Sequence, residues 1–125
     1  MTLNEYQEKA MTTCMPTCDN VSYMLLNLVA EVGELAGKIA KDIRKKNVEI
    51  GGGHYTKNEL IPNMSFAEWT YRQDEYMKEA GDILWQLAGF CKVMGWTLED
   101  VAQGNLDKLA SRHTRGVIDG DGDNR

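Results

Sequence analysis

The 125-residue sequence is poor in cysteine and proline, and it contains no long apolar run. Its three cysteines are sparse and odd in number, which argues against a disulfide framework and favours a reducing compartment. It lacks the roughly 18 consecutive apolar residues of a membrane span, and its first residues, MTLNEYQEKA, are polar rather than signal-like. We therefore expect a cytoplasmic protein without a membrane partner.

Basic residues are also in deficit, with 14 Lys and Arg against 19 Asp and Glu and a net charge of −5. An acidic chain repels phosphate backbones, which argues against a nucleic acid polymer as the partner. The hydrophobic content of 42% is enough for one core in a chain of this length. The sequence predicts a single domain over residues 1–125.

Only two prolines occur, and no alternation of polar and apolar residues is long enough to predict a strand. The expected fold is all-α, an antiparallel helical bundle of about four helices. Asp19, Ser65 with Glu68, and Thr97 are the expected N-terminal caps. The predicted helices cover residues 3–15, 20–46, 66–94 and 98–112, with a flexible glycine-rich loop at 47–64 and a polar tail at 114–125.

The predicted second helix carries an apolar stripe at three- and four-residue steps, which is typical of a helix face buried in a core. The residues of this stripe are Leu25, Leu28, Val29, Val32, Leu35, Ala36, Ile39 and Ile43. We expect them to form the core of the bundle.

A short pattern, acid-x-Gly-acid-aliphatic, occurs twice, as EVGEL at 31–35 and as EAGDI at 79–83. A glycine inside a helix costs about 1 kcal/mol relative to alanine. We expect Gly33 and Gly81 to allow close approach of another helix backbone. One acidic pair is commonly a solvated helix face, but two matching pairs on neighbouring helices would repel each other. A hard divalent cation with oxygen ligands would offset that repulsion.

With these motifs the chain resembles the MazG-like branch of the all-α nucleoside triphosphate pyrophosphohydrolases. The similarity covers most of the chain and includes LNEYQEKA, EVGEL, EAGDILWQLA, MGWTLEDVAQGNLDKLASR and RGVIDGDGDNR. It implies hydrolysis of a nucleoside triphosphate to the monophosphate and pyrophosphate, by a bundle completed as a homodimer or homotetramer. The segment between the two acidic motifs is longer here than in the compact members of the family.

The resemblance implies that Glu31, Glu34, Glu79 and Asp82 bind Mg²⁺, with Mn²⁺ as a substitute. Glu31 and Glu34 are the catalytic candidates, and Glu34 is the one expected to orient or deprotonate the attacking water. The number of metal ions is left open.

A triphosphate also needs hydrogen-bond donors and cations, and Asn105, Lys108 and Arg112 follow one side of the last predicted helix. Lys38 is a further candidate for the phosphates and Trp85 for the base. The alternatives are that Lys38, Lys108 and Arg112 are solvated charges and that Trp85 is a core aromatic residue.

Two other functions remain open for the sequence. A non-catalytic helical interaction protein would keep the bundle, with the acids as a solvated face. A phosphoribosyl-ATP or dUTP-type pyrophosphohydrolase would use the same carboxylates for another base. The two histidines, His54 and His113, are expected to be exposed rather than ligands. The favoured role is control of the nucleotide pool or removal of aberrant nucleotides.

Overall fold

A computed structural model describes residues 1–51 and 59–125. The fold is all-α, as predicted, with one small hairpin. The elements are α1 (Leu3–Met11), α2 (Val21–Arg44), β1 (Val48–Gly51), β2 (Glu59–Pro62), α3 (Phe66–Val93) and α4 (Leu98–Thr114), with a 3₁₀ turn at Pro16–Cys18. The prediction for His54 and the central part of the predicted loop lie outside the described residues. No helix in the described ranges is long and apolar enough to cross a bilayer.

Helices α1, α3 and α4 begin where side chains satisfy their free N–H groups. Thr2 and Glu5 form a capping box on α1, with Glu5 N–H donating to Thr2 Oγ1 at 3.1 Å. Ser65 and Glu68 do the same on α3, where Glu68 Oε2 accepts from Ser65 N–H at 2.9 Å. Thr97 caps α4 by accepting a backbone N–H three residues on, at 3.0 Å. The caps predicted for α3 and α4 are therefore confirmed.

The first helix is shorter than predicted, because α1 ends at Met11 instead of residue 15. The hydroxyls of Thr12 and Thr13 donate to backbone carbonyls three residues back, both at 2.7 Å. Such bonds compete with the helical ladder and favour a turn. Pro16 then starts the 3₁₀ turn rather than ending α1.

The prediction that Asp19 caps α2 is wrong, because the 3₁₀ turn displaces the start of the helix to Val21. Asp19 lies at the end of that turn, and its carboxylate is 3.4 Å from Lys92 Nζ. The carboxylate thus pairs with a lysine of α3 instead of the N–H groups of α2.

Helices α2 and α3, like α4 at Gly116 (φ 68°), end with a residue in the left-handed region. Lys46 has φ 58° after α2, and Asn47 N–H donates back to Asp42 O at 2.9 Å. Gly95 has φ 75° after α3, and Trp96 N–H donates back to a carbonyl of the last turn at 2.8 Å. Both follow the Schellman pattern, and the predicted end of α3 before Gly95 is confirmed.

The prediction that the sequence contains no strand is wrong for β1 and β2, which pair antiparallel with Val48 opposite Pro62 and Gly51 opposite Glu59. Each strand has only four residues, too few for an alternating pattern to show in the sequence. A Cβ at Gly51 would lie 2.9 Å from Ile61 Cδ1 and 3.2 Å from Glu59 O, so a larger residue there would force the Ile61 side chain and the β2 backbone to shift.

The chain divides into two compact units, Met1–Val21 with Ala88–Arg125, and Ser22–Leu87. In the first, the buried side chain of Gln7 holds α1. Its Nε2 donates to Ala88 O at 3.2 Å and to Trp96 O at 3.1 Å, and its Oε1 accepts from the N–H of Leu98 at 3.1 Å. Gln7 therefore satisfies backbone groups around the turn between α3 and α4.

In the unit Ser22–Leu87, α2 and α3 run antiparallel. Asp42 near the end of α2 contacts Tyr76, while Lys38 one turn earlier contacts Glu79 further along α3. The register of the two helices is therefore fixed by polar pairs on their facing sides.

The apolar stripe of α2 does not form the core of the described chain, which corrects the prediction. The fully buried residues of α2 are Met24 and Asp42. Within the described part of the unit Ser22–Leu87, α3 is the helix that packs on α2, and the outer side of the stripe is exposed. The exposed members are Leu25 (48%), Val29 (67%), Val32 (48%), Ile43 (36%) and Ala36.

Candidate active site

Three carboxylates converge where α2 faces α3. Glu31 and Glu34, one turn apart on α2, and Glu79 of α3 each offer an oxygen, and these oxygens lie within 4.8 Å of one another. We call these three residues the acidic cluster. Asp82, the fourth predicted ligand, lies outside this group and is exposed, one turn beyond Glu79 on α3.

Glu79 is the most buried member of the acidic cluster, at 7% exposure. Lys38 Nζ lies 2.5 Å from its Oε1, whereas its Oε2 is buried and has no hydrogen-bond partner among the described residues. An unpartnered buried carboxylate oxygen is costly in a folded protein. The set of oxygen donors therefore fits a hard divalent cation such as Mg²⁺ or Mn²⁺.

The pKa of Glu31 depends on the neighbouring carboxylates. Burial raises the pKa of Glu31, and repulsion from Glu34, Asp82 and Glu79 raises it further. A hydrogen bond from Asn27 Nδ2 to Glu31 Oε1, at 3.0 Å, acts in the opposite direction. A positive charge among these groups would relieve the repulsion.

Lys38, a predicted phosphate contact, lies instead on two carboxylates of α3. Its Nζ is 2.5 Å from Glu79 Oε1 and 3.3 Å from Glu75 Oε2. The hydrogen bond to Glu79 is the main reason that the pKa of Lys38 is raised. Glu75 also accepts from Lys78 Nζ at 2.6 Å, which holds the pKa of Glu75 low, with Lys38 as the second cause.

Glu75 was not predicted as a site residue. The available signal was its position four residues before Glu79, on the same side of α3. The sequence alone did not show that a lysine of α2 would bridge the two.

Of the residues predicted to hold phosphates, Asn105 is exposed on α4, whereas Lys108 and Arg112 contact the polar tail. Arg112 is 5% exposed, and its Nη2 donates to Asp123 Oδ1 at 3.1 Å and to Gly122 O at 3.4 Å. Lys108 Nζ lies 3.5 Å from the same Oδ1. Arg112, followed by Lys108, holds the pKa of Asp123 low.

These α4 residues belong to the unit of residues 1–21 and 88–125, and the acidic cluster belongs to Ser22–Leu87. Their role toward a substrate stays a prediction. Within their unit, the basic residues at the end of α4 bind the carboxylate of Asp123.

The predicted base contact, Trp85, is half-buried on α3, and its role also stays a prediction. His113 is exposed, as expected. The close helix approach predicted at the two motif glycines is wrong for the described residues, none of which lies within 4 Å of a Cβ at Gly33 or Gly81. Both glycines lie on exposed sides of their helices.

The sequence of this chain matches a known protein family. The profile described as MazG nucleotide pyrophosphohydrolase domain matches residues 20–117. The chain belongs to the MazG family. The match contains α2, α3 and α4, and with them the acidic cluster and Asp82. The chain therefore carries a nucleotide pyrophosphohydrolase domain, and MazG proteins generally use divalent metal ions.

A curated relative of this MazG chain is the Gene 37 protein of Mycobacterium phage L5. The two are 36% identical over 111 residues, which cover 86% of this chain and 82% of the phage protein. No solved structure matches the chain.

Proposed function

We propose that the chain hydrolyses a nucleoside triphosphate to the nucleoside monophosphate and pyrophosphate, with Mg²⁺ as the cofactor and Mn²⁺ as a substitute. The observation that carries this proposal is the acidic cluster, in which one buried carboxylate oxygen of Glu79 has no donor among the described residues. A family of nucleotide pyrophosphohydrolases supplies the class of reaction. Its setting would be the cytoplasmic nucleotide pool, in pool control or removal of aberrant nucleotides.

Glu31, Glu34, Glu79 and Asp82 would hold the metal. The chemistry that bound Mg²⁺ supplies is neutralisation of triphosphate oxygens and a lower pKa for bound water. Glu34 is exposed and would orient the attacking water or accept its proton, with Glu31 beside it as the second catalytic carboxylate. Cleavage between the α- and β-phosphates then releases pyrophosphate.

The phosphates would be bound by Asn105, Lys108 and Arg112, with Lys38 as a further cation and Trp85 beside the base. Support for the α4 residues comes from Asp123, whose carboxylate contacts both Lys108 and Arg112. A site that accepts a carboxylate oxygen has the donors that a phosphate oxygen requires.

The assay that tests the reaction uses the four ribonucleoside and four deoxyribonucleoside triphosphates, with dUTP and phosphoribosyl-ATP added. Each is incubated with Mg²⁺ or with EDTA, and pyrophosphate is separated from orthophosphate. We expect pyrophosphate and monophosphate only with metal, and Glu34→Gln should abolish most of the release. Orthophosphate as the main product would contradict the proposal. The preferred substrate distinguishes the general enzyme from the dUTP and phosphoribosyl-ATP types.

We also propose that a second copy of the chain covers the exposed apolar residues of α2, giving a homodimer or a homotetramer. Contiguous exposed apolar residues commonly mark an interface. Light scattering should show an oligomer for the wild type and a monomer for Val29→Asp. Met77→Asp is the control, since Met77 is as exposed (66%) but lies on α3. A monomeric wild type would contradict this proposal.

The same exposed side of α2 is what a non-catalytic interaction protein would present. That second candidate becomes the better one if the folded protein hydrolyses none of the substrates and binds neither Mg²⁺ nor Mn²⁺.

A further inference from the structure

Lys38 contacts the acidic cluster at the carboxylate that the metal would use, and this observation leads beyond the proposed reaction. We infer that Lys38 is the resident counter-cation of the acidic cluster: it neutralises Glu79 in the metal-free protein, yields Glu79 when a divalent metal binds, and stays on Glu75. This inference rests on the proposed metal site and concerns how that site is kept stable and how tightly it binds.

The first step is the charge balance around Glu79. A buried carboxylate without a partner is strongly destabilising, and Glu79 is 7% exposed. Among the described residues, the ion pair of Glu79 is with Lys38 Nζ, at 2.5 Å from Oε1. The metal-free fold therefore depends on this ammonium at a point where four acids would otherwise repel one another.

The second step is that Lys38 can leave. Its side chain is 37% exposed, and lysine places its charge on a flexible four-carbon stem. It also has a second carboxylate, Glu75, at 3.3 Å, so that leaving Glu79 does not leave the ammonium without a partner. Glu75 lies one turn before Glu79 on the same side of α3.

The third step is competition. An ammonium on Glu79 Oε1 and a divalent cation at the unpartnered Oε2 would share one negative charge and repel each other, so that the free energy of the Lys38 pair is subtracted from metal binding. Removing the ammonium should tighten metal binding, although the same change destabilises the metal-free fold. A purely structural surface lysine would affect neither metal affinity nor the stabilisation that metal provides.

The test is calorimetric titration with Mn²⁺ in the absence of nucleotide, together with thermal unfolding with and without Mn²⁺. The variants are Lys38→Met, Lys38→Arg and Lys78→Met. Lys78 is the matched control, because it pairs with Glu75 at 2.6 Å but has no contact with Glu79 in the described structure. Lys38→Arg keeps the charge and tests whether the charge, rather than the lysine side chain as such, sets the affinity.

We expect Lys38→Met to bind Mn²⁺ about fivefold more tightly than the wild type, the size typical of a modest ion pair. Its Tm without metal should fall, and its gain in Tm on adding Mn²⁺ should exceed that of the wild type. Lys78→Met should bind Mn²⁺ as the wild type does, and Lys38→Arg should bind it no more tightly.

Equal or weaker Mn²⁺ binding by Lys38→Met, with the wild type binding normally, would overturn the inference and leave the proposed metal site intact. If Lys38→Met does not fold, then tighter Mn²⁺ binding by Lys38→Arg than by the wild type would overturn it instead. Absence of Mn²⁺ binding in the wild type would overturn the proposed metal site and the inference together.

Discussion

Asp42 and Glu79 are both buried carboxylates between α2 and α3, yet their surroundings differ. Asp42 is 2% exposed and both of its oxygens have partners. Its Oδ2 accepts from Tyr76 Oη at 2.5 Å, and its Oδ1 accepts from Asn47 Nδ2 at 3.2 Å and lies 3.4 Å from Arg72 Nη1. Glu79 has Lys38 on one oxygen and no described partner on the other.

This difference distinguishes a carboxylate whose role is structural from one that is available to bind a cation. Asp42 has a complete set of donors, so its charge stabilises the junction of α2, the hairpin and α3. Glu79 has a described partner on only one of its two oxygens, so the other oxygen can bind a further cation. Burial alone therefore does not make an acid a candidate for function, whereas burial with an oxygen that has no described partner makes Glu79 one.

The largest expected effect is on the Glu79 side. Glu79→Gln keeps the shape but removes the charge from the acidic cluster, and hydrolysis should fall by about 100-fold or more. The free energy of unfolding should change by no more than about 1 kcal/mol, because a buried charge is replaced by a neutral amide. Activity and urea unfolding measured on one preparation would check both. Full turnover would remove Glu79 from the site.

For Asp42→Asn we expect the reverse, which is a loss of stability with hydrolysis retained. Hydrogen bonds to a charged group are each worth about 1.5–3 kcal/mol, so the variant should lose about 2 kcal/mol of unfolding free energy. Hydrolysis at a temperature where the variant is folded should stay close to that of the wild type. A loss of activity as large as that of Glu79→Gln, in the folded variant, would contradict the division between the two carboxylates.

Acid sensitivity should distinguish the wild type from Asp42→Asn as well. Burial by itself would raise the pKa of Asp42, but the bonds from Tyr76 and Asn47 and the charge of Arg72 outweigh it and hold that pKa below its usual 3.8. A lowered folded-state pKa stabilises above the unfolded value, and this stabilisation is lost as the pH falls through the folded-state value. Urea unfolding between about pH 2.5 and 6 should therefore show a steeper acid decline for the wild type than for the variant.

The ionisation of Tyr76 at alkaline pH provides a second test of its hydrogen bond to Asp42. Burial, and then the hydrogen bond to Asp42, raises the pKa of Tyr76 to about 12. An absorbance titration should show one tyrosine that ionises late, and Asp42→Asn should bring that pKa down. An unchanged tyrosine titration would mean that the bond to Asp42 contributes little to the surroundings of Tyr76.

The smallest expected effect concerns α3 itself. Gly81 is exposed two residues after Glu79, and no described residue lies within 4 Å of a Cβ placed there. Gly81→Ala should therefore raise the free energy of unfolding by about 0.5–1 kcal/mol and leave metal affinity unchanged. A loss of stability instead would contradict this prediction and point to another chain that approaches α3 at Gly81, because the described residues leave that position open.

Sequence reasoning succeeded where the signal is local. Ser65 with Glu68, Thr97 and Gly95 mark helix ends through bonds within one turn, and the structure has these bonds. Period-3.6 spacing placed Glu31 and Glu34 on one side of α2, and the structure brings them to Glu79.

Sequence reasoning failed where the partner lies far along the chain. The position of Lys38 on Glu79 depends on the register between α2 and α3, which periodicity does not fix. The stripe of α2 was correctly identified as apolar, but the pattern does not say whether the same chain covers it. The four-residue strands β1 and β2 were too short for any periodic signal.

The uncovered stripe of α2 links the folding of this protein to its abundance. If a second copy covers Val29 and its neighbours, then mass action adds to stability, and the unfolding temperature rises with protein concentration. A dilute solution, or a host that makes few copies, would hold a larger fraction of unfolded chains than a concentrated one. Measured stabilities then have meaning only at a stated protein concentration.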